Sequence, residues 1–97
     1  MKLKFHSEAR LDLREARAFY RHRSPLAAAT FAKEIQTALA RIMEAPLRFA
    51  ASEHGTRSFI FPWRFPYTIV YMLREPHIVI VAVAHQSKDP GYWQHRV

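Results

Sequence analysis

Polar and apolar residues alternate from the start of the chain. Lys2-Leu3-Lys4-Phe5-His6 has period two, which predicts a short strand with Leu3 and Phe5 facing inward. Ser7 is a good N-cap and Glu8 suits the positive end of a helix dipole, so a helix is predicted from there to about Arg23. Ala9, Leu13, Ala16 and Tyr20 recur along it at helical spacing, with Phe19 beside them, and form its apolar stripe. Ser24-Pro25 places a cap before a proline at the first helical position and starts a second helix at once. That helix carries Ala28, Phe31, Ile35, Leu39 and Ile42 on one stripe and is predicted to run to about Ala45, where Pro46 stops it.

Leu47 to Gly55 shows no period and reads as a loop. Thr56 to Phe61 reads as a strand, Pro62-Trp63-Arg64-Phe65 as a turn, and Pro66 to Leu73, rich in β-branched and aromatic residues, as a second strand. After a turn at Arg74-Glu75-Pro76, His77 to His85 is almost continuously apolar, the mark of a strand buried on both faces and central in its sheet. A turn at Asp89-Pro90-Gly91 then leads to Tyr92 and Trp93, which are too large to leave wet and are expected to fold over the sheet or meet a partner. The order is β-α-α-β-β-β. It predicts an α+β domain, a helical hairpin packed on a mainly antiparallel sheet, with the first strand parallel beside the last.

Composition narrows the function classes. The 97 residues suit one domain spanning 1–97, with 49% hydrophobic residues to fill its core. No apolar run approaches the roughly 18 residues of a membrane span, and the amino terminus lacks a secretory stretch, so a cytoplasmic location without membrane contact is expected. The absence of cysteine excludes disulfides, thiolate nucleophiles and thiolate zinc sites. The six histidines, His6, His22, His54, His77, His85 and His95, show no ligand spacing, and neither a metal nor a cofactor is expected.

Charge points outward, to a partner. Fifteen Lys and Arg against eight Asp and Glu give a net +7, which suits nucleic acid, an anionic surface or an acidic protein segment. Arg10, Arg14, Arg17 and Arg21 share one face of the first helix. They read either as a partner-gripping stripe or as a solvated face moderated by Glu8, Asp12 and Glu15.

Four segments together resemble the RelE/ParE family of toxins, and its ParE branch in particular. They are Ser7-Glu8-Ala9-Arg10-Leu11-Asp12-Leu13, the second helix closing on Pro46, the pair Arg57-Ser58-Phe59 and Arg64-Phe65-Pro66-Tyr67-Thr68-Ile69-Val70-Tyr71, and Val81-Ala82-Val83-Ala84-His85 with Pro90-Gly91-Tyr92-Trp93. The resemblance implies the RelE/ParE toxin fold and the toxin half of a type II toxin-antitoxin pair, neutralised by an acidic, ParD-like antitoxin. It also implies one of two targets, DNA gyrase for ParE-like members or messenger RNA in the ribosomal A site for RelE-like ones.

The residues bear on that choice. RNA cleavage needs a base, an acid and cations for the phosphate. Arg57 and Arg64 could serve as cations, His85 as base and Tyr92 as acid, or the arginines could be solvated and His85 structural. RelE-like enzymes usually carry an arginine just after the tyrosine of the Phe-Pro-Tyr strand, where this chain has Thr68. Loss of such a cation removes about 3 kcal/mol of transition-state stabilisation, so a gyrase inhibitor with no catalytic centre is the expected activity, and a ribosome-dependent endonuclease the alternative. A basic nucleic-acid-binding domain without toxicity is the third reading, supported by charge alone. The expected antitoxin- or target-binding residues are Arg10, Arg14, Arg17, Arg21, Arg57, Arg64, His85, Tyr92 and Trp93.

Overall fold

The computed structural model describes residues 1–62 and 64–97; Trp63, in the turn predicted at 62–65, lies outside the described residues. Strand β1 (Lys2–Phe5) leads into helices α1 (Ser7–Arg23) and α2 (Pro25–Glu44), followed by strands β2 (Ala50–Ala51), β3 (Arg57–Ile60), β4 (Tyr67–Arg74) and β5 (His77–His85). They form a five-stranded sheet in the order β1-β5-β4-β3-β2, with β1 parallel to β5 and the other pairs antiparallel. The parallel pairing follows from the helical hairpin, which is long enough to carry the chain back across the sheet.

Two details differ from the sequence pattern. The cap of α1 is His6, whose Nδ1 accepts the Glu8 N–H at 3.1 Å, whereas Ser7 is already helical. His6 is the last extended residue, since its own N–H still reaches the Ile80 carbonyl at 2.9 Å, and only an extended residue can turn its side chain onto the first amides of the helix. Within the predicted loop, exposed Ala50 and Ala51 pair with Ser58 and Arg57 as an edge strand. Two exposed alanines carry no alternation, so only backbone hydrogen bonds betray them. The cap of α2 is as expected, with Ser24 Oγ accepting the Ala27 N–H at 3.0 Å.

The helices cover one face of the sheet. Ala9, Leu13 and Ala16 of α1 and Phe31, Ile35, Ala38 and Ile42 of α2 pack against Ile69, Tyr71, Ile78 and Ile80. One end of this core is aromatic: Phe31 stacks on Tyr20 at 4.7 Å and lies 5.3 Å from Phe65 and 5.4 Å from Tyr67, centroid to centroid. Phe19, predicted beside the stripe, is 47% exposed, with the Arg23 guanidinium 4.5 Å above its ring. The tail covers the opposite face, where Trp93 is buried against Val70, Val81 and Ala82.

Register within the sheet decides what lies above α1. Ala82 pairs with Val70 but Ile80 pairs with Tyr71, so Val81 is an extra residue in β5. The bulge reverses the alternation: Ile78 and Ile80 face the helices before it, and Val83 does so after it. β5 is interior to the sheet, as its apolar run implied, and buried from Ile80 to Val83.

Burial raises the pKa of all three core tyrosines above the ordinary 10.0, opposed by Arg23 at Tyr20 and by Arg57 at Tyr71, and reinforced by Tyr20 and Glu15 at Tyr67. A raised folded pKa contributes stability that is complete below pH 10 and is lost above it, as the unfolded chain ionises first. Alkaline titration followed by tyrosinate absorbance and circular dichroism should therefore show delayed ionisation that coincides with unfolding. Ionisation of these tyrosines at the ordinary value with the fold intact would contradict the packing.

Candidate functional site

Helix α1 divides the surface into two flanks. On one, Arg10, Arg14, Arg17 and Arg21 follow one another at intervals of four, three and four residues, so they line up along a single face. All four are exposed, and none pairs with a carboxylate among the described residues. They form the rim of a groove of about 390 Å³ whose floor is apolar, with Phe5 from β1, Leu13 from α1 and Ile35 and Leu39 from α2. Like charges at this spacing repel one another on an isolated helix. The groove thus combines a cationic rim without carboxylate partners among the described residues with a base in which Phe5 and Leu39 stay partly exposed while Leu13 and Ile35 are buried.

The other flank is acidic and already engaged. Glu8 pairs with His95 at 2.8 Å, and Asp12 lies under the returning tail. The Asp12 carboxylate takes Arg96 in a two-armed pair, Nη1 to Oδ2 at 2.6 Å and Nη2 to Oδ1 at 3.2 Å. Its Oδ2 also accepts the Tyr92 hydroxyl and the Val83 N–H, each at 3.1 Å. Arg96 Nη1 donates in addition to the Val81 carbonyl at 3.1 Å, and its guanidinium lies 5.0 Å from the centre of the Tyr92 ring. Both charged groups are withdrawn from water, with side-chain exposures of 6% for Arg96 and 13% for Asp12.

The sheet explains why these groups meet. β1 accompanies β5 only as far as Phe5 opposite Ile80, after which the chain turns into α1. Beyond that point β5 has a bare edge, and unpaired buried amides and carbonyls cost about 1–3 kcal/mol each. Asp12 accepts the Val83 N–H and Arg96 donates to the Val81 carbonyl, so two side chains stand where a strand would. Burial lowers the Arg96 pKa, but the Asp12 hydrogen bonds and charge outweigh it and hold the group above its ordinary value. Burial, followed by the charge of Asp12, pushes the Tyr92 hydroxyl well above the usual tyrosine range.

Two smaller grooves meet at the end of β5. One of about 280 Å³ runs between α1 and the tail and includes Glu15, Phe19, Val83, His85, Lys88 and Tyr92. The other, of about 290 Å³, lies on the face away from the helices and includes Ser58, Thr68, Ala84, His85, Lys88 and Tyr92. Ser87 donates its N–H to His85 Nδ1 at 3.0 Å and its Oγ lies 2.7 Å from the same nitrogen. With Nδ1 accepting, the neutral ring carries its proton on Nε2.

Of the four residues considered for RNA cleavage, His85 and Tyr92 share both small grooves, but Arg57 and Arg64 lie elsewhere. Arg57 pairs with Tyr71 across the ladder and therefore points to the helix side, where it donates to the Leu47 and Phe49 carbonyls at 3.2 and 2.8 Å. Arg64 reaches Glu34 of α2 at 3.6 Å. Trp93 is buried against the far face of the sheet and lines the far groove. Lys88, Asp12 and Arg96 are the groups that sequence reasoning missed. No local signal set Asp12 apart, since α1 also carries Glu8 and Glu15. Among the described residues, no helix is long and apolar enough to cross a membrane and no three His, Asp or Glu side chains gather as a metal site.

A family model described as the ParE toxin of a type II toxin-antitoxin system, parDE, matches residues 3–90. A solved structure titled as a chromosomal ParDE TA system from P. aeruginosa is similar in fold, with a TM-score of 0.74 over 88% of this chain and 95% of that one, at 21% identity. No curated protein matches the sequence. The family match stops before Tyr92, Trp93 and Arg96.

Breaking the buried pair from one side strands the other charge. Arg96→Ala should destabilise the fold by about 3 kcal/mol or more, a fall of more than about 10 °C in melting temperature for a domain of this size. Arg48→Ala removes a pair whose partners are 51% and 73% exposed and should cost less than about 0.5 kcal/mol. Urea and thermal unfolding of both variants check this, and equal losses would contradict a buried clasp.

Proposed function

The chain belongs to the ParE toxin family of type II toxin-antitoxin systems, and on that premise we propose that it inhibits DNA gyrase by binding and is neutralised by an acidic, ParD-like antitoxin seated on the arginine-rimmed groove. The observation that carries the antitoxin assignment is the pairing of four guanidinium groups that meet no carboxylate among the described residues with an apolar floor on which Phe5 and Leu39 are partly exposed. A phosphodiester backbone offers charge but nothing for that floor to bury. An amphipathic helix with acidic and aliphatic residues offers both, which favours the antitoxin over the reading as a plain nucleic-acid-binding domain.

Inhibition by binding is supported by what the candidate acid and base are already doing. A general base needs a free lone pair, but His85 Nδ1 accepts from Ser87, and the neutral tautomer this favours has a proton on Nε2. A general acid needs a proton it can release, but the Tyr92 hydroxyl is committed to Asp12 and its pKa is raised by burial and by that carboxylate. The cations that phosphate chemistry would recruit, Arg57 and Arg64, are engaged on the helix side and at Glu34, while Thr68 occupies the far groove. His85, Lys88 and Tyr92 then form a contact surface for the target, on the opposite side of α1 from the antitoxin groove.

Two assays test the proposal. In purified systems the chain should block DNA supercoiling by gyrase and leave messenger RNA on programmed ribosomes uncut. Codon-dependent cleavage abolished by His85→Ala, with gyrase unaffected, would promote the ribosomal endonuclease instead. Reversing two rim charges, Arg14→Glu with Arg17→Glu, should weaken antitoxin binding by at least about 25-fold if each charge contributes roughly 1 kcal/mol, and raising the salt should weaken the wild-type complex. Affinity that ignores both changes would remove the antitoxin from this groove.

A further inference from the structure

The tail from Gln86 onward has little structure of its own, a turn through Asp89–Gly91 and one short 3-10 turn at Gln94–Arg96. It is nevertheless anchored at several points. Trp93 is 7% exposed on the second core, Tyr92 and Arg96 converge on Asp12, and His95 meets Glu8. Tyr92 and Lys88 are members of this tail and wall both small grooves, and the Lys88 ammonium lies 5.6 Å from the centre of the Tyr92 ring. Their positions relative to His85, which β5 fixes, depend on where the tail is tied down.

We propose that Asp12 and Arg96 are positioning residues for target recognition: their ion pair holds Tyr92 and Lys88 in register with His85 and thereby assembles the target-contacting surface. The inference rests on the reading that this surface meets gyrase, and it goes beyond that reading by assigning a role to two residues that do not touch the target. Asp12 is suited to the task because α1 fixes its Cα through Ala9, Leu13 and Ala16 beneath it, so the carboxylate is a rigid anchor and the tail is the part it locates. Arg96 is suited because its planar fork spans both carboxylate oxygens while one arm reaches the Val81 carbonyl. A lysine keeps the charge and cannot make all three contacts. The arginine-rimmed groove on the other flank contains neither residue, so antitoxin binding is independent of the clasp.

The test compares Asp12→Asn, Arg96→Gln and Arg96→Lys with wild type in gyrase supercoiling and in antitoxin affinity, at a temperature where each is folded. The expected result is a split: inhibition falls at least 10-fold for Asp12→Asn and Arg96→Gln and less for Arg96→Lys, while antitoxin affinity stays within threefold. The double variant Asp12→Asn/Arg96→Gln should be no worse than either single change, since both remove one interaction. Should Asp12→Asn fail to fold, the two Arg96 variants carry the comparison. Parallel losses of inhibition and antitoxin affinity in all folded variants would reduce the clasp to a stabilising contact and overturn the proposal. His85→Ala and Lys88→Ala separate the two levels. If they abolish inhibition while the clasp variants retain it, only the positioning role fails; if they leave inhibition intact, the surface is misplaced and the positioning role falls with it.

Discussion

An interior strand that loses its neighbour halfway along must have its exposed backbone groups satisfied by something else. β1 ends opposite Ile80, and β5 continues to His85 with a bare edge beneath α1. The Asp12 carboxylate fills that gap by accepting the Val83 N–H, and its negative charge in turn requires a buried cation, which Arg96 provides. The route of the tail follows from this requirement. To deliver Arg96 to Asp12 the chain must turn back at Asp89–Gly91, which lays Trp93 over Val70, Val81 and Ala82 and closes the second face of the sheet. A buried ion pair is not in itself a source of stability, because desolvation offsets most of the attraction. Its value here lies in satisfying Val81 and Val83 and in fixing one geometry.

The same helix then serves two chemistries. Ala9, Leu13 and Ala16 bind α1 to the core along one stripe, and the positions to either side are free to differ. One side spends its acids on the tail. The other keeps four arginines that pair with no carboxylate among the described residues, and this asymmetry is how a molecule of net charge +7 concentrates positive charge along one groove. Under the proposed function, the two flanks separate the surface assigned to the antitoxin from the surface assigned to the target.

Local pattern made much of the fold legible. The period of α1 and α2, the Ser24-Pro25 junction and the apolar run of β5 each depend on neighbouring residues, and so does the parallel β1–β5 pairing once the helical hairpin is recognised. What escaped depends on contacts that no local period reports. Asp12 and Arg96 are 84 positions apart, and a uniformly apolar strand gives no sign that Val81 is a bulge that turns Val83 toward the helices. His6 caps α1 because β1 ends there, a fact of pairing and not of propensity. The candidate site was legible to the same degree. The arginine stripe was visible as spacing, and its apolar floor was not, because Phe5, Leu13, Ile35 and Leu39 come from three elements. Arg57 and Arg64, read from the sequence as either cations for phosphate or solvated residues, are set apart by tertiary structure: strand register turns Arg57 toward the helices and Arg64 lies beside Glu34 of α2.

The central claim is that Asp12 completes the open edge of β5, and the Val83 amide reports on it most directly. Its hydrogen exchange, measured by NMR on the intact chain, should be as slow as that of amides bonded within the sheet, opening only with global unfolding. In Asp12→Ala the same amide should exchange at least 10-fold faster relative to Ile69 or Ile80 in the same molecule. Equal protection of Val83 with and without the carboxylate would contradict the account.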